Sequence, residues 1–246
     1  MAQNSDLMTQ EFHDIFGIAF HNYLSGEKDG EITVITNVGD DDVMPVKYFF
    51  RNYDELPEME QIALSLCSGK ILDIGAGSGC HSILLQEKGY DISAIDISKG
   101  AVEIMKKRGI LNAQNLDFFN IENEKYDTLL LLMDSIGLVQ TIDGLTTFFQ
   151  KAKQLLNPGG QIILDSADLM HLFVDEDGSF ELNLNSNYYG EVIYQLKYKG
   201  LVGEPFNWIF IDFGNLSDIA MQNGFECEML FEDDKFNYLA RIFIME

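Results

Sequence analysis

The sequence predicts an α/β fold: a doubly wound, mostly parallel sheet of seven strands, with an N-terminal helical cap and an inserted antiparallel hairpin. Three observations carry this reading. Short apolar runs alternate with helical periodicities between residues 57 and 165. The first of those runs ends in a glycine-rich turn, GAGSG. Beyond Asp165 the spacing of apolar residues changes to a period near two.

The elements follow in order. Pro57 suits the first position of a helix, and Met59, Ile62, Ala63 and Leu66 recur at helical spacing before Gly69 ends it. KILDIG reads as a buried strand stopped by glycine. A helix over residues 80–88 should follow, with Gly89 as its stop. DISAID is a second strand, and Ser98 can cap a helix carrying Ala101, Val102 and Met105 that Gly109 closes. AQNL leads into a third strand. YDTLLLLM is a fourth, continuously apolar as a strand covered on both faces should be. Asp143 can cap a helix that buries Leu145, Phe148, Phe149, Ala152 and Leu156. NPGG then turns the chain into QIILD, the fifth strand. YYGEVIYQLKYK and FNWIFID form the hairpin, at about residues 186–212. A helix near residues 216–222 and the strands FECEMLF and YLARIFIM finish the chain. This divides the protein into an N-terminal cap and substrate-side segment, 1–56, and a main domain, 57–246.

Composition narrows the class of function. A length of 246 residues, 46% of them hydrophobic, with mean hydropathy -0.03, is that of a chain able to bury a substantial core. Forty acidic against sixteen basic residues give a net charge of -24, which repels nucleic-acid phosphates and anionic lipid surfaces. Nucleic acid and membrane are therefore not expected as partners. The acidity is read as a device for solubility or a saline habitat rather than as attraction of a cationic ligand. The start MAQNSDLMTQ lacks a basic segment leading into an apolar one, and the apolar run LLLLM at 129–133 is only strand-long. Cys67, Cys80 and Cys227 are scattered and form no CxxC, which points to a reducing, cytoplasmic setting.

The glycines indicate a site. A glycine turn between a parallel strand and its helix lies at the carboxyl edge of the sheet, where open α/β folds bind ligands. Without side chains the loop lets a ligand approach the main chain. Asp96, at the end of the next strand, can accept from a ribose diol, so a nucleoside cofactor is implied. A dinucleotide fingerprint would need a third glycine where Cys80 stands, and no GK[ST] follows to make a P-loop.

LDIGAGSG followed by AIDIS resembles the first two motifs of class I S-adenosylmethionine-dependent methyltransferases, a Rossmann-like family. NLDFF, YDTLLLLMDSIG and LLNPGGQIILDS resemble its later motifs in order. The likeness covers residues 69–168, and the closing helix and strand pair agree with the family's reversed last strand. It implies S-adenosyl-L-methionine as cofactor, with Asp73 organising the glycine loop and the amino group. Gly75, Ala76, Gly77 and Gly79 would follow the methionine moiety and ribose. Asp96 would take the ribose hydroxyls, Ile97 and Phe118 the adenine faces, and Asp117 the adenine amino group. Met133 and Asp134 would border the reactive methyl. Asp117 as a turn residue and Met133 as core filling are the structural alternatives.

Asp134 is the candidate catalytic base by position, with capping of the next turn as its alternative. MDSI stands where adenine- and glutamine-methylating relatives carry Asn/Asp-Pro-Pro-Tyr, and no Pro-Cys nucleophile of the cytosine type is present. The expected acceptor is a small molecule. Tyr48 and Arg51 before the core, and Tyr189 and Trp208 in the hairpin, are the candidates to hold it, Arg51 by pairing with a carboxylate of cofactor or substrate. The hairpin aromatics suit a lid or a homodimer surface. His13, His21, His81 and His171 show no metal spacing, and no metal is expected. Two other readings stay open: a cofactor-binding or regulatory protein without catalysis, and an NAD-dependent oxidoreductase, which Cys80 weakens.

Overall fold

The computed structural model describes residues 12–173 and 187–245. The opening decapeptide, the VDEDG cluster and residue 186 of the expected hairpin lie outside the described residues.

Helix α1 (Ile15–Leu24) is capped by Asp14, whose Oδ1 accepts the Gly17 N–H at 2.9 Å. Strand β1 (Glu31–Thr36) alternates inward Ile32 and Val34 with outward Glu31 and Thr33, and pairs antiparallel with β2 (Asp42–Pro45). Helix α2 (Glu58–Leu66) starts behind Pro57. The alternation then runs β3 (Lys70–Ile74), α3 (Cys80–Glu87), β4 (Asp91–Asp96), α4 (Lys99–Lys107), β5 (Ala113–Asn115), β6 (Tyr126–Leu131), α5 (Ile142–Leu155) and β7 (Leu156–Ala167). Strands β8 (Glu191–Tyr198), β9 (Leu201–Val202) and β10 (Phe206–Ile209) follow. Helix α6 (Phe213–Gln222), β11 (Phe225–Glu232) and β12 (Asn237–Ile244) complete the described chain.

The main sheet has seven strands in the order β11-β12-β7-β6-β3-β4-β5. Strands β3 to β7 pair parallel, and β12 runs antiparallel to both of its neighbours. Strand β6 shows why its sequence is apolar without a break. Leu129 and Leu131 face the cluster of Phe148, Phe149, Leu216 and Phe225 from the α5–α6 side, whereas Leu130 and Leu132 face Ala63, Leu64 and Leu85 from the α2–α3 side. Each such fully buried leucine contributes about 1.5–3 kcal/mol. Among the described residues, no helix is long and apolar enough to cross a membrane.

Several expectations are corrected. Thr141, not Asp143, caps α5: its backbone is extended and its side chain accepts the Gly144 N–H, while Asp143 lies in the first turn, where a negative charge favours the helix dipole. Strand β6 stops at Leu131 rather than running to Met133, because Met133 and Asp134 turn the chain with φ of 61° and 59°. The third strand, Ala113–Asn115, lies within AQNL rather than beyond it, and α6 starts three residues early because Asp212 caps it. The N-terminal segment is not only helical. Its strands β1 and β2 join β8 to β10 in a second, antiparallel sheet, with β8 lying between β1 and β10. Of the expected hairpin strands, β8 is therefore an inner strand and β10 an edge strand of a five-stranded sheet.

Helix α1 holds this layer to the main sheet. The Asp14 carboxylate also accepts from Ser98 Oγ at 2.7 Å and the Gly100 N–H at 3.1 Å, at the start of α4. The helices meet glycine on glycine: a Cβ on Gly100 would lie 2.5 Å from the Gly17 Cα, closer than any real contact.

Candidate active site

The glycine turn between β3 and α3 crosses the carboxyl edge of the sheet beside the end of β4. The N–H groups of Gly75 and Ala76 both donate to the Ile95 carbonyl at 3.0 Å, which clamps the loop onto β4. Gly79 caps α3 with φ of 80°, and a Cβ there would lie 2.1 Å from Ile110 Cδ1, so conformation and space both require glycine. Asp73 is buried beneath the loop, where its Oδ2 accepts from Ser82 Oγ at 2.6 Å. Burial pushes its carboxyl up, against His81 and the two Ser82 donors.

Asp96 receives one backbone N–H on each oxygen, Gly77 at 2.8 Å and Ser98 at 2.8 Å. A carboxylate oxygen has a second lone pair, so each can still accept from a hydroxyl of a vicinal diol. Asp96 is half-buried by surface, yet the protein crowds its carboxyl closely enough that desolvation pushes it to about 6, opposed by the two backbone donors. At Gly77 a Cβ would sit 3.8 Å from the Phe20 ring, at ordinary contact distance, so that ring stands beside the bare main chain of the loop.

These groups open into a cleft of about 1170 Å³. That exceeds the roughly 300–1,000 Å³ of a pocket for one drug-sized ligand, and so has room for a nucleoside cofactor and an acceptor together. Of the cofactor candidates, Gly75, Ala76, Gly77, Asp96, Ile97 and Asp117 line it, as do Phe118 and Met133; Asp73 and Gly79 stand behind the loop and shape it. Ile97 is 78% exposed, an apolar side chain at the rim. Asp117 Oδ1 accepts the Phe119 N–H at 2.8 Å, so it does cap a turn, while the residue also faces the cleft.

At the end of β6 the cleft changes character. Asp165, at the end of β7, accepts the Met133 N–H at 2.9 Å on one oxygen and the Asp134 N–H at 2.7 Å on the other. That grip holds two successive non-glycine residues in the left-handed region, a conformation that costs free energy and is concentrated at functional sites. Asp134 heads the following 3-10 turn, Ser135–Val139, but its side chain makes no capping bond. Burial raises the Asp134 carboxyl, with Glu60 adding to it, and burial and Asp134 raise Asp165 further. A charge on Asp134 thus makes ionisation of Asp165 harder.

Of the substrate-side candidates, Tyr48 and Trp208 line the cleft and Arg51 and Tyr189 do not. Tyr189 donates to Asp168 at 2.7 Å. Arg51 is buried: its Nη2 donates to both oxygens of Glu60 at 2.9 Å, its Nε to the Tyr48 carbonyl at 2.7 Å, and its guanidinium lies 3.5 Å from the Tyr48 ring centre. Glu60 also meets His81 Nε2 at 2.6 Å. Burial pushes Glu60 up, but the bonds and charges of His81 and Arg51 outweigh it and hold the carboxyl low. Trp208 packs so closely that a Cβ on Gly137 would lie 2.0 Å from its ring. Tyr194 and Phe206 of the second sheet line the cleft beside it. The hairpin aromatics Tyr194 and Trp208 thus face inward, over the carboxyl edge.

Sequence reasoning missed Asp165, Glu60 and Phe20, and marked Tyr194 only as one of the hairpin aromatics suited to a lid or dimer surface. QIILD ends its strand in an acid at the binding edge, and that signal was available for Asp165. Nothing local marks Glu60, whose partners come from segments nine and 21 residues away. Among the described residues, no group of three or more His, Cys, Asp or Glu side chains is placed to hold a metal.

A seven-stranded sheet with one reversed strand, a glycine loop on its first central strand and an acid on the second define a nucleoside-cofactor transferase of the methyltransferase type. Residues 71–160 match the methyltransferase domain family. A Bacteroides fragilis S-adenosylmethionine-dependent methyltransferase, solved with S-adenosyl-L-homocysteine, is 42% identical, with 95% of each chain covered and a TM-score of 0.88. An uncharacterised methyltransferase of Staphylococcus carnosus is 28% identical over 196 residues, 78% of this chain and 86% of that protein. A 23S rRNA (uracil(747)-C(5))-methyltransferase of Pyrococcus horikoshii is 27% identical over 95 residues, 36% of this chain and 23% of that one. The chain belongs to the class I S-adenosylmethionine-dependent methyltransferases. It is an enzyme, with S-adenosyl-L-methionine as its cofactor.

Proposed function

We propose that the enzyme methylates a small molecule, held between the glycine loop and the aromatic side of the second sheet, with Asp134 at the reacting centre. One observation carries the reading: Tyr48, Tyr194 and Trp208 wall the same cleft that Asp134 and the cofactor loop open into. The described parts of the segments 1–56 and 186–212 form the substrate side in this reading. Asp96 holds the ribose diol, Ile97 and Phe118 bracket the adenine, Asp117 receives its amino group, and Gly75 to Gly79 follow the methionine moiety with Asp73 beneath. Arg51 Nη1 is buried and has no hydrogen-bond partner among the described residues, which suits the carboxylate of the cofactor's methionine moiety. The cofactor supplies an activated methyl group on a sulfonium; the protein's task is alignment and exclusion of water. Asp134, uncapped and raised by burial, takes the acceptor's proton.

The acidic lining argues against a polynucleotide substrate, since Glu58, Glu60, Asp134, Asp165 and Glu204 all border the cleft. The described cysteines are unpaired, in keeping with a cytoplasmic enzyme. The test is methyl-labelled cofactor added to size-fractionated cell extract with the purified protein. Label should enter the fraction below about 1 kDa, and label found only in RNA or protein would overturn the reading. Asp134→Asn should lower kcat about 10²- to 10⁴-fold while leaving the affinity for S-adenosylhomocysteine unchanged.

A further inference from the structure

We propose that the acceptor is an amine, bound as its ammonium ion between the Asp134–Asp165 pair and the rings of Tyr48, Tyr194 and Trp208. The proposal rests on the reading of this cleft as the acceptor site, and it names the chemistry selected there.

The argument is one of unbalanced charge. Asp165 is 3% exposed, and among the described residues neither it nor Asp134 forms an ion pair. Arg51 reaches this corner, with Nη2 3.7 Å from Met133 Sδ, but its charge is balanced by the Glu60 carboxylate, which Nη2 meets at 2.9 Å; Nε donates to a carbonyl, and only Nη1 lacks a partner among the described residues. His81 is likewise on Glu60. The other cations of the cleft lie on other segments, Lys99 on α4 next to Asp96 and Lys235 in the turn between β11 and β12. The carboxyl corner therefore has a deficit of positive charge inside a half-enclosed, low-dielectric space, where a cation gains most. The walls agree. Three aromatic residues, Tyr48, Tyr194 and Trp208, share the cleft with it, and aromatic faces attract cations. A carboxylate acceptor would face the Asp134–Asp165 pair and be repelled, and a neutral alcohol would leave that pair unbalanced.

The chemistry balances. The bound ammonium gives one proton to Asp134, which frees the nitrogen lone pair. That pair forms the N–C bond as the C–S bond breaks, its electrons returning to sulfur as a neutral thioether. The methylated amine carries the positive charge, and Asp134 passes its proton to solvent.

Trp208 is the only tryptophan of the chain and lines the cleft, so its fluorescence reports occupancy. The probes are benzylamine, benzyl alcohol and benzoate, similar in shape and graded in charge, titrated into the full chain saturated with S-adenosylhomocysteine. Benzylamine should bind at least tenfold more tightly than the other two, and Asp134→Asn should reduce that preference to about twofold or less. Binding of S-adenosylhomocysteine to the variant, followed by calorimetry, shows that its site is intact. Equal or stronger binding of benzyl alcohol or benzoate would overturn the amine proposal while leaving the acceptor site in place. A Trp208 signal unmoved by all three would overturn the acceptor site as well.

Discussion

At the scale of single residues, the site is governed by carboxyls whose protonation the fold has altered. Asp96 titrates at about 6 because burial outweighs its two backbone donors. Protonation would cost it an acceptor for the ribose, so affinity for S-adenosylhomocysteine should be flat above pH 7 and fall as pH drops through 6; calorimetry across that range checks it. Asp96→Ala should lose about ten- to a hundredfold of that affinity, the worth of hydrogen bonds to a charged group, while keeping the wild-type circular dichroism. Asp134 has a raised pKa too, and the sign of its linkage follows. A carboxyl easier to protonate when folded favours the native state at low pH, and that contribution is lost as pH rises through the folded pKa. Asp134→Asn should therefore raise the melting temperature at pH 8 and change it less at pH 5. A variant equally stabilised at both would refute the account.

At the scale of elements, the core was largely legible and the roof was not. The alternation from α2 to β7 could be read because each element is local: LLLLM is apolar throughout since both of its faces are covered, and Gly89 and Gly109 stop helices with φ of 90° and 91°. The caps were less certain, because Thr141 and Asp143 both carry an oxygen near the helix start and only backbone geometry selects Thr141. EITVIT does not stand out as a strand although its inward Ile32 and Val34 alternate, because it is short and its partner on one side, β8, is distant in sequence. The site divides the same way. Asp96 and the glycines belong to one contiguous motif, whereas Asp134 and Asp165 form a pair only once β6 and β7 lie side by side. The crossing of α1 over α4 is testable: Gly100→Val would force the helices apart and should cost about 1–3 kcal/mol, a few degrees in Tm. Because Phe20 of α1 would leave Gly77, S-adenosylhomocysteine should also bind more weakly in that variant.

At the scale of the whole molecule, a net charge of -24 on 246 residues sets the compact state against its own repulsion. Screening relieves it, so the melting temperature should rise by several degrees between about 10 mM and 500 mM sodium chloride, and a flat response would show that local pairing already cancels the repulsion. The same acidity, read from composition as a matter of solubility, becomes at the cleft a question of which ligand charge is welcome.

The second sheet joins distant parts of the chain. Thr33 of β1 pairs with Lys197 of β8, and Thr36 with Tyr194. As the protein emerges from the ribosome, its first strand can pair at once with β2 but must wait for about 160 further residues before it meets β8. The parallel sheet, built of nearer neighbours, can collapse in the interval. The glycine loop and its acid thus emerge before the aromatic wall. A nascent chain halted ahead of β8 should therefore grip a nucleoside and yet be unable to shelter a second guest.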